Sequence, residues 1–545
     1  MKKTLISLVI SGLALLAFAD ERPNIILIMA DDMGFSDIGC YGGEIETPNL
    51  DQLANDGVKF SQFYNSARCC PTRASLMTGL HPHQTGLGWM TNPPHKIDRT
   101  WGEKYPGYQG YMTNNCVTIA EVLGEAGYAT LMTGKWHLGF HDQSRWPLQR
   151  GFEKFYGIIA GASNLFYPEY PRGITFGNDP VEDPESTTDR RYYVTDAFTD
   201  WGIKFIDEEK AAEDRPFFLY LAYTSPHWPL HAHREEVEKY RGKYMMGWDQ
   251  LREERYNRMI ELGLIDSDWA MSERSHLPWD EMSEEKKDEM DYRMAYYAAM
   301  VDRMDQNIGK LIDHLKAIGK YENTIIMFLS DNGACQEGGR LGGKTDPFDV
   351  ETWERTYGNG PGYGEVWANA SNTPFRKFKH YTHEGGIATP FILSWPEKNK
   401  KSDDWYQSPA YLPDVMATVV DISGASYPSE FGGNAIPEME GISMAPALKG
   451  KALKRQEPMF WEHEYHAAIR VGDWKLVGSR VSVPGAPDES RWELYDLSKD
   501  RTEVNDLSDE QPEKRAKLAK LWKEWANEVQ VYPRPPKHTY PVETN

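Results

Sequence analysis

Ile25 to Ala30 is a continuous apolar run, and Asn24–Ala30 as a whole predicts a strand buried on both faces. Runs of the same kind predict further strands at Tyr128–Thr133, Phe217–Tyr223, Thr324–Leu329 and Pro390–Ser394. Helical spacing lies between them. Thr47-Pro48 reads as an N-cap with proline at the first helical position, and Leu50, Leu53 and Ala54 share one face up to Gly57. Thr72–Leu80, Thr118–Ala126 and Met304–Ile318 also read as helices. Alternating buried strands and amphipathic helices predict an α/β domain with a mostly parallel sheet flanked by helices. Residues 231–290, charged and rich in Trp, Tyr and Met, read as helical surface segments inserted between strands. Residues 337–370 hold many Gly with little periodicity and read as a long loop. From about Glu457 the texture changes to short antiparallel strands at Phe460–Glu464, Ala468–Val471, Trp474–Ser479 and Trp492–Leu497. A helix at Lys514–Val529 and a Pro-rich tail follow, which predicts a small α+β C-terminal domain.

The first residues change the boundaries. Met1-Lys2-Lys3, an apolar stretch from Leu5 to Phe18 and Ala17-Phe18-Ala19 before Asp20 have the three parts of a secretory signal peptide. The stretch is short of the roughly 20 apolar residues of a membrane span, and no later apolar run is long enough. The expected division is therefore a leader at 1–19, a large domain at 20–450, and a C-terminal domain with its tail at 451–545. The expected location is the periplasm or outside the cell.

Formal charge is −22 over 545 residues, and becomes −24 once Lys2 and Lys3 leave with the leader. Such a surface argues against nucleic acid or an anionic membrane as partner. It leaves room for a small anionic substrate, because a local cluster of Lys, Arg and His can invert the field in one cleft. The five cysteines (Cys40, Cys69, Cys70, Cys116, Cys335) match neither a zinc framework nor a dense disulfide scaffold.

Two apolar strands end in acidic pairs, Asp31-Asp32 and Asp331-Asn332. In an open parallel sheet ligands bind beyond the carboxyl ends of strands, so both pairs can converge. Three carboxylates and one amide are hard oxygen donors, suited to Ca²⁺ or Mg²⁺ rather than zinc. Gly134-Lys135-Trp136-His137 and Ser225-Pro226-His227-Trp228 each follow a strand, and Asn372 to Lys379 precedes Glu384-Gly385-Gly386. Taken singly these are a cap, two turns and a basic surface loop. Their placement after strands is what gathers them on one rim.

Cys69-Cys70-Pro71-Thr72-Arg73, completed by Leu76-Met77-Thr78-Gly79, resembles the sulfatase signature of Cys-x-Pro-x-Arg followed by Leu-x-Thr-Gly. Only Cys69 has the register, since Cys70 abuts the proline. From Pro23 to about Pro533 the chain resembles the arylsulfatase type of formylglycine-dependent sulfatases, within the alkaline phosphatase superfamily. The resemblance implies an alkaline phosphatase-like fold and hydrolysis of aryl sulfates or sulfated carbohydrates to alcohol and inorganic sulfate. It implies Cys69 oxidised to formylglycine by a maturation enzyme, and Ca²⁺ held by Asp31, Asp32, Asp331, Asn332 and residue 69. Arg73, Lys135 and His137 would hold the hydrated aldehyde. His227 and Lys379 would grip the sulfate, with His227 protonating the departing alcohol. With Cys69 consumed, four thiols remain, a number that allows one or two disulfides and fixes no pairing. Thr72 stands where Ser is common, and no catalytic position departs from the pattern. Two alternatives stay open: a formylglycine-dependent phosphonate or phosphate ester hydrolase, and a non-catalytic calcium-dependent carbohydrate-binding protein, which 18 Trp and 30 Tyr would suit.

Overall fold

The alternation of β1 (Asn24–Ala30) sets the layers. Ile26, Ile28 and Ala30 enter one core, and Ile25, Leu27 and Met29 enter the other. Helices Val194–Ala212 and Glu284–Ala317 cover the first face, while Cys69–Thr78, Ile119–Glu125 and Pro413–Ser423 cover the second. A strand covered on both faces has no polar side to alternate with, which explains its unbroken apolar run. This computed structural model describes residues 22–91, 101–169, 172–186, 189–343, 361–399, 404–483 and 487–535. The leader lies outside the described residues.

The strands that follow are β2 (Val58–Tyr64), β3 (Ala129–Lys135), β4 (Lys154–Ile158), β5 (Ile174–Phe176) and β6 (Asp179–Val181). After these come β7 (Phe217–Ala222), β8 (Thr324–Ser330), β9 (Ala388–Ser394) and β10 (Ala410–Tyr411). They form one sheet in the order β10-β2-β9-β8-β1-β7-β3-β4-β5-β6. Its centre, β8-β1-β7-β3-β4, is parallel as expected. β9 runs antiparallel to both β8 and β2, and β5 and β6 turn back at the far edge.

A short hairpin, β11 (Glu430–Phe431) and β12 (Asn434–Ala435), precedes a second sheet. That sheet is an antiparallel meander of β13 (Met459–His463), β14 (His466–Val471), β15 (Trp474–Gly478) and β16 (Trp492–Asp496). Helix Pro512–Glu528 lies on it through Leu518, Trp522 and Trp525. Buried ion pairs fasten it to the large sheet. Glu384, just before β9, takes Lys475 Nζ at 2.8 Å and Arg501 Nε at 2.8 Å.

Several elements differ from the sequence expectation. The helix expected from Thr72 starts at Cys69, because the N–H that Pro71 lacks is unpaired in a first helical turn anyway. It ends at Thr78, where Gly79 (φ +72°) caps it by donating to Ser75 O. Met304–Ile318 is only the last part of a 34-residue helix, Glu284–Ala317. The charged first turns of that helix hid its period. The 231–290 segment carries helices at Arg234–Glu238 and Gly247–Glu261, yet Trp248 and Trp279 are buried and meet Trp367 from the helix Gly364–Ser371. That helix lies within the stretch expected to be a loop, of which 344–360 fall outside the described residues. All five cysteines are free thiols, so none of the disulfides that their number would allow is formed. Among the described residues no helix is long and apolar enough to cross a membrane.

Candidate active site

One edge of the large sheet collects the chemistry. Asp31-Asp32 follow β1, Asp331-Asn332 follow β8, Lys135 ends β3 with His137 just past it, and His227 lies just past β7. β9 runs against β8, so the segment entering it, which carries Lys379, arrives at this same edge. β2 pairs antiparallel to β9 and therefore also ends there, leading to Cys69 at the start of its helix. All ten residues singled out in the sequence are buried at this edge.

Charges alternate across the site. Lys135 Nζ donates to both oxygens of Asp31, at 2.9 and 2.7 Å. Arg73 donates to Asp331 Oδ2 from Nε at 3.2 Å and Nη2 at 2.8 Å, and to Lys135 O and Tyr220 Oη from Nη1. Lys379 Nζ donates to Asp32 Oδ2 at 2.9 Å and lies 3.4 Å from His227 Nε2. Asn332 Nδ2 donates to Asp32 Oδ1 at 2.7 Å, and Asp331 Oδ1 accepts the Asp32 N–H. Asp32 (φ +68°) and His137 (φ +58°) hold left-handed backbone, a strain of about 1–3 kcal/mol apiece that the surrounding bonds must sustain. Gly333 permits a close approach: a Cβ there would sit 1.9 Å from Gly385 O, so the Asp331-Asn332 turn and the segment before β9 touch backbone to backbone.

Burial and neighbouring charge set the protonation states. Burial, then the Asp331 charge, pushes Asp31 well up despite Lys135. Burial also opposes the Asp32 charge, but His227 and Lys379 prevail and draw its carboxyl down. Burial lowers His137 and His227 to about 4, so both rings are neutral at neutral pH. His227 Nδ1 faces Trp228 O, which can only accept, so the ring proton is assigned to Nδ1 and the lone pair to Nε2. A hydrogen bond with the Cys70 thiol, and then Lys135 and His137, draw the Cys69 thiol well down against burial; burial and Cys69 push Cys70 well up. A cysteine in the first turn of a helix gains further from the positive end of the helix dipole.

Asn332 Oδ1 tests whether a hard cation fits. It is fully buried and has no hydrogen-bond partner, although its Nδ2 is used. An orphaned buried amide oxygen is costly. Three carboxylates beside it, one pushed up by burial and by the charge of Asp331, complete a donor set that a hard divalent cation satisfies.

The rim holds residues the sequence reading missed. Glu337 accepts from Arg68 Nη2 at 3.0 Å and Trp228 Nε1 at 2.7 Å, and lies 3.4 Å from Lys379 Nζ and 3.3 Å from His380 Nε2. It thus holds Lys379 and the loop carrying His227 from behind. Cys335 Sγ lies 3.7 Å from Lys379 Nζ.

The family model described as Sulfatase matches residues 23–425. The chain belongs to the sulfatase family. A second model, described as N-sulphoglucosamine sulphohydrolase, C-terminal, matches residues 375–530. This sulfatase is 35% identical over 527 residues to an uncharacterised sulfatase of Schizosaccharomyces pombe, covering 90% of this chain and 91% of that one. It is 33% identical over 467 residues to an arylsulfatase of Klebsiella aerogenes, covering 83% and 97%. The solved structure of Ps i-CgsB in complex with k-i-k-neocarrahexaose aligns with a TM-score of 0.66 at 25% identity, covering 94% and 98%. The protein is a sulfuric ester hydrolase.

Proposed function

We propose that this sulfatase hydrolyses sulfate monoesters of phenols or carbohydrates, with residue 69 carried as formylglycine and Ca²⁺, rather than Mg²⁺, held by Asp31, Asp32, Asp331, Asn332 and residue 69. The observation that carries this reading is the unpartnered Asn332 Oδ1 among three buried carboxylates, close enough to Cys69 for its charge to act on Asp32. When bound, the ion would neutralise sulfate oxygens and acidify a neighbouring hydroxyl. Formylglycine at position 69 would supply an attacking oxygen where the structure has a thiol sulfur.

The chain's own groups do the rest. Lys135 and Lys379 are held charged by Asp31 and Asp32 against the cost of burial, and offer positive charge to the sulfate. Arg73 braces Asp331 and the Lys135 carbonyl, fixing the angle between the two strand ends. His137, neutral and hydrogen-bonded to residue 69, can take a proton there. His227 presents its Nε2 lone pair beside the Lys379 ammonium. It can pass a lysine proton to the departing alcohol, whose alkoxide is the stronger base. That transfer matters more for sugar alcohols than for phenols. The arylsulfatase relative and the neocarrahexaose complex support one ester class each. The proposal also takes residues 1–19 as a leader for the periplasm or secretion, a formylglycine-generating enzyme as the maturation partner, and a domain boundary near residue 450.

Initial rates on matched aryl sulfate and aryl phosphate esters test the reading. The protein is co-produced with a formylglycine-generating enzyme and assayed with Ca²⁺, with Cys69→Ala as the blank. Sulfate release well above the blank and above phosphate release is the expected result. Dominant phosphate release would move the enzyme to the phosphohydrolase branch.

A further inference from the structure

Four histidines meet where the small sheet touches the active-site rim. His380 and His383 follow Lys379, while His463 and His466 flank the two-residue turn from β13 to β14. Glu464 and Tyr465 in that turn both have positive φ, at +48° and +73°, as a tight hairpin of this twist requires. His380, His463 and Glu464 each bring one donor atom to within 4.8 Å of the others. His380 Nδ1 lies 2.9 Å from Glu464 Oε2, and His463 Nε2 lies 3.4 Å from Glu464 Oε1. Ligand atoms around a tetrahedral ion with bonds of about 2.0–2.1 Å are roughly 3.4 Å apart.

We propose that His380, His463 and Glu464 form a second metal site, for a borderline divalent ion such as Zn²⁺, separate from the oxygen-donor site at the strand ends. Two imidazoles and a carboxylate suit such an ion and leave a fourth position for water or a substrate group. Independent features support it. His463 is fully buried, yet neither ring nitrogen makes a well-formed hydrogen bond, Nε2 having only its 3.4 Å approach to Glu464 Oε1, an expense that coordination would remove. His380 has Nε2 3.3 Å from Glu337 Oε1. With the Nε2 proton given to Glu337, the ring can exchange its Nδ1–H contact with Glu464 for a bond from the Nδ1 lone pair to an ion, the arrangement of metal-ligating histidines. His380 (φ +81°) holds a left-handed backbone to present its ring there. The competing cation is Arg68, whose guanidinium touches the His380 ring and lies 3.6 Å from Glu464 Oε1. Arg68 is also anchored at 3.0 Å to Glu337, so it can yield the His380 contact and remain paired. An ion here would tie the β13–β14 hairpin to the segment that presents Lys379.

The test uses the full mature chain carrying Cys69→Ala and Cys70→Ala, because Cys69, Cys70 and His137 are themselves within reach of a soft ion. With Ca²⁺ in excess to fill the oxygen site, Zn²⁺ alone is titrated calorimetrically, and Co²⁺ serves as an optical probe. The expected result is one tightly held Zn²⁺ per chain and tetrahedral Co²⁺ bands without thiolate charge transfer. His463→Gln and Glu464→Gln should each weaken binding at least about a hundred-fold, whereas His314→Gln on an outer helix should not. Glu464→Gln keeps the side-chain shape, so it decides the matter if His463→Gln fails to fold. No Zn²⁺ binding under excess Ca²⁺, or binding undiminished in Glu464→Gln, overturns the site.

Discussion

Glu384 should make the attachment of the small sheet sensitive to acid. It is fully buried, with Lys475 Nζ at 2.8 Å on Oε1, Arg501 Nε at 2.8 Å on Oε2, and Tyr64 Oη at 3.1 Å on Oε2. Burial alone would push this carboxyl up, but Lys475 and Arg501 prevail and hold it at about 2, against an ordinary value of 4.5. A carboxylate whose folded pKa is depressed stabilises the fold above its unfolded pKa and loses that contribution as pH falls toward the folded one. The shift is worth about 3 kcal/mol at pH 7, and about 1 kcal/mol of it survives at pH 3. Glu384→Gln removes the titrating group. At pH 7 it should cost roughly 3–5 kcal/mol, since Arg501 then lacks its buried counter-charge, while Lys475 keeps Glu503 at 2.8 Å. Between pH 7 and pH 3 the gap between parent and variant should narrow by about 2 kcal/mol, as the parent loses what the variant never had. Urea unfolding of both proteins at the two pH values measures this, with the slopes checked for equality. A deficit of equal size at pH 7 and pH 3 would refute the reasoning, because a packing defect has no reason to follow a proton.

The remaining predictions concern the catalytic edge. Cys69→Ala should reduce sulfate release to background while Ca²⁺ binding by calorimetry stays within a few-fold of the parent; residual turnover would reject residue 69 as the nucleophile. His227→Ala should lose about 10²–10⁴-fold on alkyl or sugar sulfates and about ten-fold or less on activated aryl sulfates, and equal losses would remove His227 as the proton donor. Asn332→Ala deletes the orphaned oxygen and should weaken Ca²⁺ binding about ten- to hundred-fold in a Tb³⁺ competition assay, whereas Glu337→Gln should leave that affinity unchanged and lower kcat.

The parts of the fold that were legible are those where burial forces a one-to-one relation between sequence and layer. β1 and β8 are covered on both faces, so their runs are unbroken, and acidic residues at their ends had to lie at the sheet edge where ligands bind. β2 opens on two half-buried positions and interrupts its buried ones with Gln62, so its broken apolar pattern gave no comparable signal. The helix Glu284–Ala317 begins Glu-Glu-Lys-Lys-Asp-Glu, a stretch whose partners are salt bridges and solvent, so its start left no apolar period to read.

The rim follows a different rule. Arg68 precedes Cys69, Trp228 follows His227, and His380 follows Lys379, so each is the chain neighbour of a residue already placed at the edge. A segment that delivers one side chain into a cleft delivers the next one to the wall around it. Adjacency to a site residue was therefore the available signal for these three. Glu337 lies six residues beyond Asp331 in a Gly-rich turn, where spacing says nothing about direction. Glu464 has no such signal at all. It belongs to the hairpin of the other sheet, and it reaches Arg68 and His380 across a joint to which Glu384, Lys475 and Arg501 contribute. The donors at the strand ends are thus set within one sheet, whereas the wall where Arg68 and His380 meet Glu464 depends on how two sheets are joined. Substitutions in that buried ionic joint should therefore alter which esters are accepted before they alter how sulfate itself is held.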